Sequence, residues 1–424
     1  MRRFLTLICV LLLPSLGAAA DIAVSPGKGG ITSALALAEA GDRLILTPGT
    51  YEENLVLDRP VTLIGNGAVL QGTGVGSVIT VTGPDVVVEG LIIQGSGSSH
   101  ESIDSGVQLT KTAKRPIVRG NTLLGNLYGV DIHGAHDALV VGNMIRGRQD
   151  HRMNSRGNGV YVWNAPGAVV ADNDIMWGRD GIFVNTSKNN IFRDNTFRDL
   201  RFAVHYMYAN RSEVTGNVSL GNDLGYAIMF SDRVKLNGNV SVNDKEHGLM
   251  LNYATNSQVV GNLVRDGKNL CLFMYNAQKN LVQGNRFEGC QIGIHFTAGS
   301  ERNQVTENAF IGNRTQVKYV STQWVEWSAN GIGNYWSDFA AYDLNGDGLA
   351  DMPYRPNDSM DHILWSQPAA KLLLGSPAVQ LVKWSQSAFP ALLPGGVIDS
   401  HPMMRPVEIA VPEVAPPEKS ADLG

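Results

Sequence analysis

The sequence predicts an all-β chain wound as a right-handed parallel β-helix, on three observations. Nine asparagines, Asn121, Asn143, Asn173, Asn195, Asn217, Asn239, Asn262, Asn285 and Asn308, recur at spacings of 22, 30, 22, 22, 22, 23, 23 and 23 residues. A fixed period of this length marks a solenoid. Each anchor has a Gly, Asp, Glu or Asn beside it, and short runs of alternating apolar residues flank it. Alternation of period two is the mark of a strand with one buried face.

The N-terminus comes first in chain order. Arg2 and Arg3, the apolar run Leu5 to Leu13, and Ala18-Ala19-Ala20 read as a Sec-type signal peptide over residues 1–20, cleaved after Ala20. The run is shorter than a membrane-spanning helix requires. Export implies an oxidising compartment, where Cys271 and Cys290, the two cysteines beyond the signal, either form a disulfide or stay as buried thiols. Sequence alone leaves both open.

Residues 21–315 form the β-helix. Ile31 to Ala40 reads as a short amphipathic helix capping the open end of the stack. Three apolar stretches, GDRLILTPGTYEE, VTLIGNGAVL and VVVEGLIIQG, supply the lead-in strands. Each later coil carries three strands: a longer one (YGVDIH ending at His133, FAVHYM at Met207, HGLMLN at Asn252), one just before the anchor, and one just after it. The anchors themselves are structural, a ladder tying neighbouring turns. Residues 316–366 lose the period and make a C-terminal cap with an Asp/Asn/Gly loop. Residues 367–405 form an apolar docking segment, and 406–424, rich in Pro and Glu, a disordered tail.

Composition narrows the function classes. A net charge of −5 with 17% charged residues argues against nucleic acid as a partner. The 47 glycines fall largely at repeat positions, as turns require.

Chemistry concentrates on the outward positions of the longer strand. One column reads Asp131, Tyr161, Phe183, His205, Ala227, Met250, Phe273, His295; the next reads His133, Trp163, Asn185, Met207, Met229, Asn252, Tyr275, Thr297. A solvated face carries Lys, Glu, Ser and Thr; this one carries Met, His and aromatics. Thioether and imidazole favour Cu(I) over Ca²⁺ or Mg²⁺. His205, Met207, Met229 and Met250 are the leading Cu(I) ligand candidates, followed by His133 and His295. His151 and Met153 join them from the insertion in the 30-residue coil, as a loop able to close over the face. The bland alternative is an apolar stripe that binds a partner protein. Asp343, Asn345, Asp347 and Asp351 read as a structural Ca²⁺ loop or a metal-free turn; the twelfth-position Glu of an EF-hand loop is missing. His401-Pro402-Met403-Met404 is a further soft-ligand group.

Together these features resemble the NosD family, periplasmic β-helix proteins of nitrous oxide reductase maturation. The coils, the segment ending GDRLILTPGTYEENLVL and above all GIGNYWSDFAAYDLNGDGLADMPY (residues 331–354) carry the resemblance. It implies a non-enzymatic periplasmic accessory protein passing copper, sulfur or both as transient cargo. It also implies an ABC transporter permease and ATPase, a copper chaperone lipoprotein and nitrous oxide reductase as partners, with membrane contact only through the transporter. The rival class is a carbohydrate-active β-helix enzyme, a polyuronate lyase or epimerase. Residues Tyr128 to His133 are similar to the epimerase motif YGxDPH, departing at Ile132, with Asp131 and His133 as acid and base and Arg146, Arg148, Arg152 and Arg156 as nearby charge.

Overall fold

The computed structural model describes residues 19–150, 152–297, 299–320, 323–357, 376–388 and 395–410, with Ile363, Gln367 and Ala369. The chain winds as a parallel β-helix with three long sheets of 13, 14 and 12 strands, each strand pairing with its counterpart one coil away. The first sheet holds strands such as Leu139–Val141, the second Met144–Arg146, and the third the six-residue strands such as Phe202–Met207. Register is kept coil after coil: Val170 faces Phe192, Phe192 faces Val214, and Val214 faces Leu236.

The alternation explains the core. Val130, Val160, Ile182, Val204, Tyr226 and Leu249 stack in one column, and all are buried. At roughly 25 cal/mol per Å² of apolar surface, burial of this whole inner lining is the main stabilising term.

The composition beside each anchor also has a physical cause. The residue before the Asn takes a left-handed backbone: Gly120, Gly142, Asp172, Asp194, Gly216, Gly238, Gly261, Gly284 and Glu307 all have φ between +55° and +68°. Gly, and less easily Asp, enter this region at small cost. The turn then points the Asn side chain inward. Asn195 donates both its backbone N–H (3.0 Å) and Nδ2 (2.9 Å) to Asn217 Oδ1, and Nδ2 also donates to the Val170 carbonyl at 2.9 Å. The same pattern repeats along the anchors and continues past Asn308 to Asn334.

Several details depart from expectation. The N-terminal helix is six residues, Gly30–Leu35, with Ile31 buried and the Ile31 and Thr32 N–H groups donating to the Glu53 carboxylate. The parallel ladder runs beyond residue 315, through Thr315–Val320 in the third sheet and Tyr335–Trp336 in the second. Of the two states the sequence left open, Cys271 and Cys290 adopt the disulfide, in the core. Residues 1–18, His151 and 411–424 lie outside the described residues. So does most of 358–394, although Pro377–Ala388 is a helix with Leu381 and Trp384 exposed. No helix among the described residues is long and apolar enough to cross a membrane.

Candidate functional site: the outer face of the third sheet

Register fixes where each candidate ligand lies. Phe183, His205, Ala227, Met250, Phe273 and His295 follow one another in one outward column. His133, Trp163, Asn185, Met207, Met229, Asn252 and Tyr275 follow in the next. Rungs are about 4.8 Å apart. Met207 and Met229 are therefore immediate neighbours, His205 shares the rung of Met207, and Met250 sits one rung beyond Met229. All three methionines are half-buried. Ala227, between His205 and Met250, is the smallest side chain of its column and is fully buried.

His205 differs from the open, solvated position its column suggests. It is 8% exposed, with its ring against Phe183 (4.8 Å) and stacked on Phe202 (4.5 Å). Nδ1 lies 3.1 Å from Asp180 Oδ2, and Arg201 grips the same carboxylate through Nε (2.8 Å) and Nη2 (2.7 Å). Burial opposes ionisation of Asp180, but hydrogen bonds from His205 and Arg201 outweigh it and hold the carboxyl below the usual carboxylate range. A carboxylate on one imidazole nitrogen is the arrangement that fixes the tautomer of a metal-binding His and aims the other nitrogen. Sequence reasoning missed Asp180 and Phe202, because a third outward column precedes the two it found: Asp180, Phe202, Leu224, His247, Leu270 and Ile292 are in register. Counting back three residues from the first outward column along each strand would have exposed it.

The other candidates do not join this cluster. His133 is three rungs from Met207, roughly 14 Å along the axis. It stacks on Trp163 at 4.4 Å. His295 is two rungs beyond Met250, beside Phe273 and Lys318. Burial, then Lys318 and His247, push its pKa down to about 4, so its imidazole is neutral at neutral pH. The described residues of the insertion loop bond away from the methionines. Ser155 O is 3.1 Å from His100 Nε2, and Arg148 bonds Ser98 Oγ and the Gly97 carbonyl, which fastens the loop near the Tyr128 end. The Met153 sulfur accepts from Arg156 Nη1 at 3.7 Å. His151 is outside the described residues.

An aromatic ridge borders the methionines. Tyr208, Phe230 and Tyr253, each the residue after a strand of the third sheet, stack at 5.2 and 5.0 Å. Each has φ near +50°, a conformation costly for a bulky side chain. All three are exposed, as are Tyr275 and Trp163.

The loop at 343–351 satisfies its own carboxylates. Asp343 accepts from the Gly346 and Gly348 N–H groups, Asp347 from Leu349, and Asp351 from Leu344, while Asn345 Oδ1 accepts from Asp347. These bonds hold the turn. His401-Pro402-Met403-Met404 is built into the C-terminal cap, where Met403 bridges Tyr335 and Leu349. Among the described residues, no three His, Cys, Asp or Glu side chains are grouped to hold a metal ion.

Comparison with known proteins agrees with this architecture. Residues 141–341 match a family model described as periplasmic copper-binding protein (NosD). A protein of Stutzerimonas stutzeri named probable ABC transporter binding protein NosD is 38% identical over 379 residues, covering 86% of this chain and 87% of its own. Its namesake in Pseudomonas aeruginosa is 40% identical over 382 residues, covering 87% and 89%. Among solved structures, a family 28 exopolygalacturonase of Yersinia enterocolitica superposes with a TM-score of 0.52 at 13% identity, covering 70% of this chain and 76% of that one, which shows the fold alone. Coils, anchor ladder and near-full-length identity together place this chain in the NosD family.

Proposed function

We propose that this chain is a periplasmic accessory protein that handles Cu(I) as cargo in the maturation of nitrous oxide reductase. The observation that carries the reading is the in-register pair Met207–Met229, with Met250 on the next rung and His205 held by Asp180. Two or three thioethers and one imidazole suit Cu(I), and their exchange with incoming ligands suits passing it on rather than keeping it. The family description, periplasmic copper-binding protein, supports the same metal and compartment.

The name of the relatives, ABC transporter binding protein, supports a transporter permease and ATPase as partners. In this reading a copper chaperone lipoprotein donates and nitrous oxide reductase receives. Tyr208, Phe230, Tyr253 and Tyr275 flank the methionines and give a docking partner apolar surface that excludes water from the transfer. The 367–405 segment docks on the permease, and the chain performs no covalent chemistry.

The test is an anaerobic Cu(I) titration of the mature protein against a chromophoric chelator, beside His205→Ala/Met207→Ala/Met229→Ala and the shape-preserving Met207→Leu/Met229→Leu. Stoichiometric binding lost in both variants is the expected result. Binding unchanged in both, or absent from the parent, removes the cargo site from this face.

A further inference from the structure

Three rungs away on the same face, two buried polar atoms lack partners. Asp131 is fully buried, and its Oδ1 has no hydrogen-bond partner. Its Oδ2 accepts from Gln108 Nε2 at 3.2 Å. Two residues on, the buried Nδ1 of His133 is also unpartnered, 3.8 Å from Asp131 Oδ2. That distance is beyond a hydrogen bond. Among the described residues, His133 is the group recorded within ion-pair distance of this carboxylate; no Lys or Arg neutralises it. A buried carboxylate oxygen without a donor costs free energy in either protonation state, because a proton placed on Oδ1 would itself lack an acceptor.

We propose that Asp131 and His133 form a second metal site on this face, harder than the methionine site, which takes a divalent transition-metal ion and favours Cu(II). One cation in this gap ligates His133 Nδ1 and Asp131 Oδ2, the oxygen that also accepts from Gln108, and a carboxylate that chelates brings in Oδ1 as well. Metal bonds of about 2.1 Å to an oxygen and a nitrogen span a gap of this size. Carboxylate with imidazole is a harder donor set than thioether with imidazole, and Cu(II) stands highest among divalent first-row ions for such ligands. The Trp163 ring stacked on the imidazole at 4.4 Å fixes its plane. Two protein ligands leave the remaining positions to water or to an incoming donor, as a transfer site requires. The face then offers separate stations for the two copper oxidation states, roughly 14 Å apart by rung count. The choice of copper rests on the cargo reading above; the existence of the site does not.

The test is an aerobic Cu(II) titration of the untagged mature protein followed by electron paramagnetic resonance, with Asp131→Asn, His133→Gln and Met207→Leu/Met229→Leu beside it. Circular dichroism melts of each variant establish that the β-helix is intact. The expected result is one Cu(II) per chain with nitrogen hyperfine structure, lost in Asp131→Asn and in His133→Gln and retained in the methionine variant. No Cu(II) bound by the parent, or binding that survives both substitutions, overturns the site and leaves Asp131 and His133 as a structural pair that closes its gap by a small rotation. The Cu(I) titration of the same variants fails or succeeds on its own, so a failure of the methionine site is told apart from a failure of this one.

Discussion

Asp399 Oδ2 accepts both the backbone N–H (2.6 Å) and Nδ2 (3.2 Å) of Asn334, 65 residues earlier in the chain. The asparagine ladder thus ends on a carboxylate delivered by a distant segment. The same oxygen accepts from Trp336 Nε1 at 2.8 Å, and Trp336 stacks on Phe310 at 4.5 Å. Asp399→Ala leaves the indole and the last ladder amides buried without acceptors. The expected loss is about 3 kcal/mol. Asp399→Asn, which keeps one acceptor, should lose less. Denaturant melts of the two variants measure both; equal losses would contradict the hydrogen-bond account.

A second buried carboxylate replaces asparagine inside the stack. Asp244 accepts from Ser241 Oγ (2.6 Å), Ser219 Oγ (2.7 Å) and the Asn222 N–H (2.8 Å), and burial pushes its pKa up to about 7. The folded state therefore holds a proton that the unfolded chain releases near pH 4. Its contribution to stability is full below that pH and is lost as pH rises through about 7. Asp244→Asn should flatten the stability profile across this window and raise stability at pH 8, by on the order of 2 kcal/mol. Melts at pH 5 and pH 8 check the sign; a variant less stable than the parent at pH 8 refutes it.

The Asp180–His205 contact predicts an indirect effect on copper. Asp180→Asn removes the carboxylate that orients the imidazole while leaving all four proposed ligands in place. Cu(I) affinity should fall about tenfold or more. Because Arg201 loses its partner as well, a thermal melt is run beside the titration. An unchanged affinity in a folded variant would mean that His205 is not a ligand.

The Cys271–Cys290 disulfide closes a loop of 19 residues within the core. Cys271→Ser/Cys290→Ala should cost about 3 kcal/mol, chiefly through the freedom returned to the unfolded chain. Mass spectrometry before and after alkylation tests the pairing, and a denaturant melt the cost. A doubly alkylated native protein would exclude the bond.

Much of this molecule follows from its sequence, for a physical reason. A solenoid repeats one local problem, so spacing gives the coil, alternation gives the buried face, and the residue before each Asn marks the left-handed turn. The two outward columns with Met207, Met229 and Met250 were legible for that reason, as was the ladder from Asn121 to Asn308. Tertiary structure alone decided how those columns are covered and joined. His205 is shielded because Phe202 and Asp180 lie in a column three residues earlier. The insertion loop folds toward His100 because Arg148 finds carbonyls there, and the ladder closes on Asp399 because the chain returns from residue 395. The last two contacts join residues whose separation is unrelated to the repeat, and a period carries no record of them.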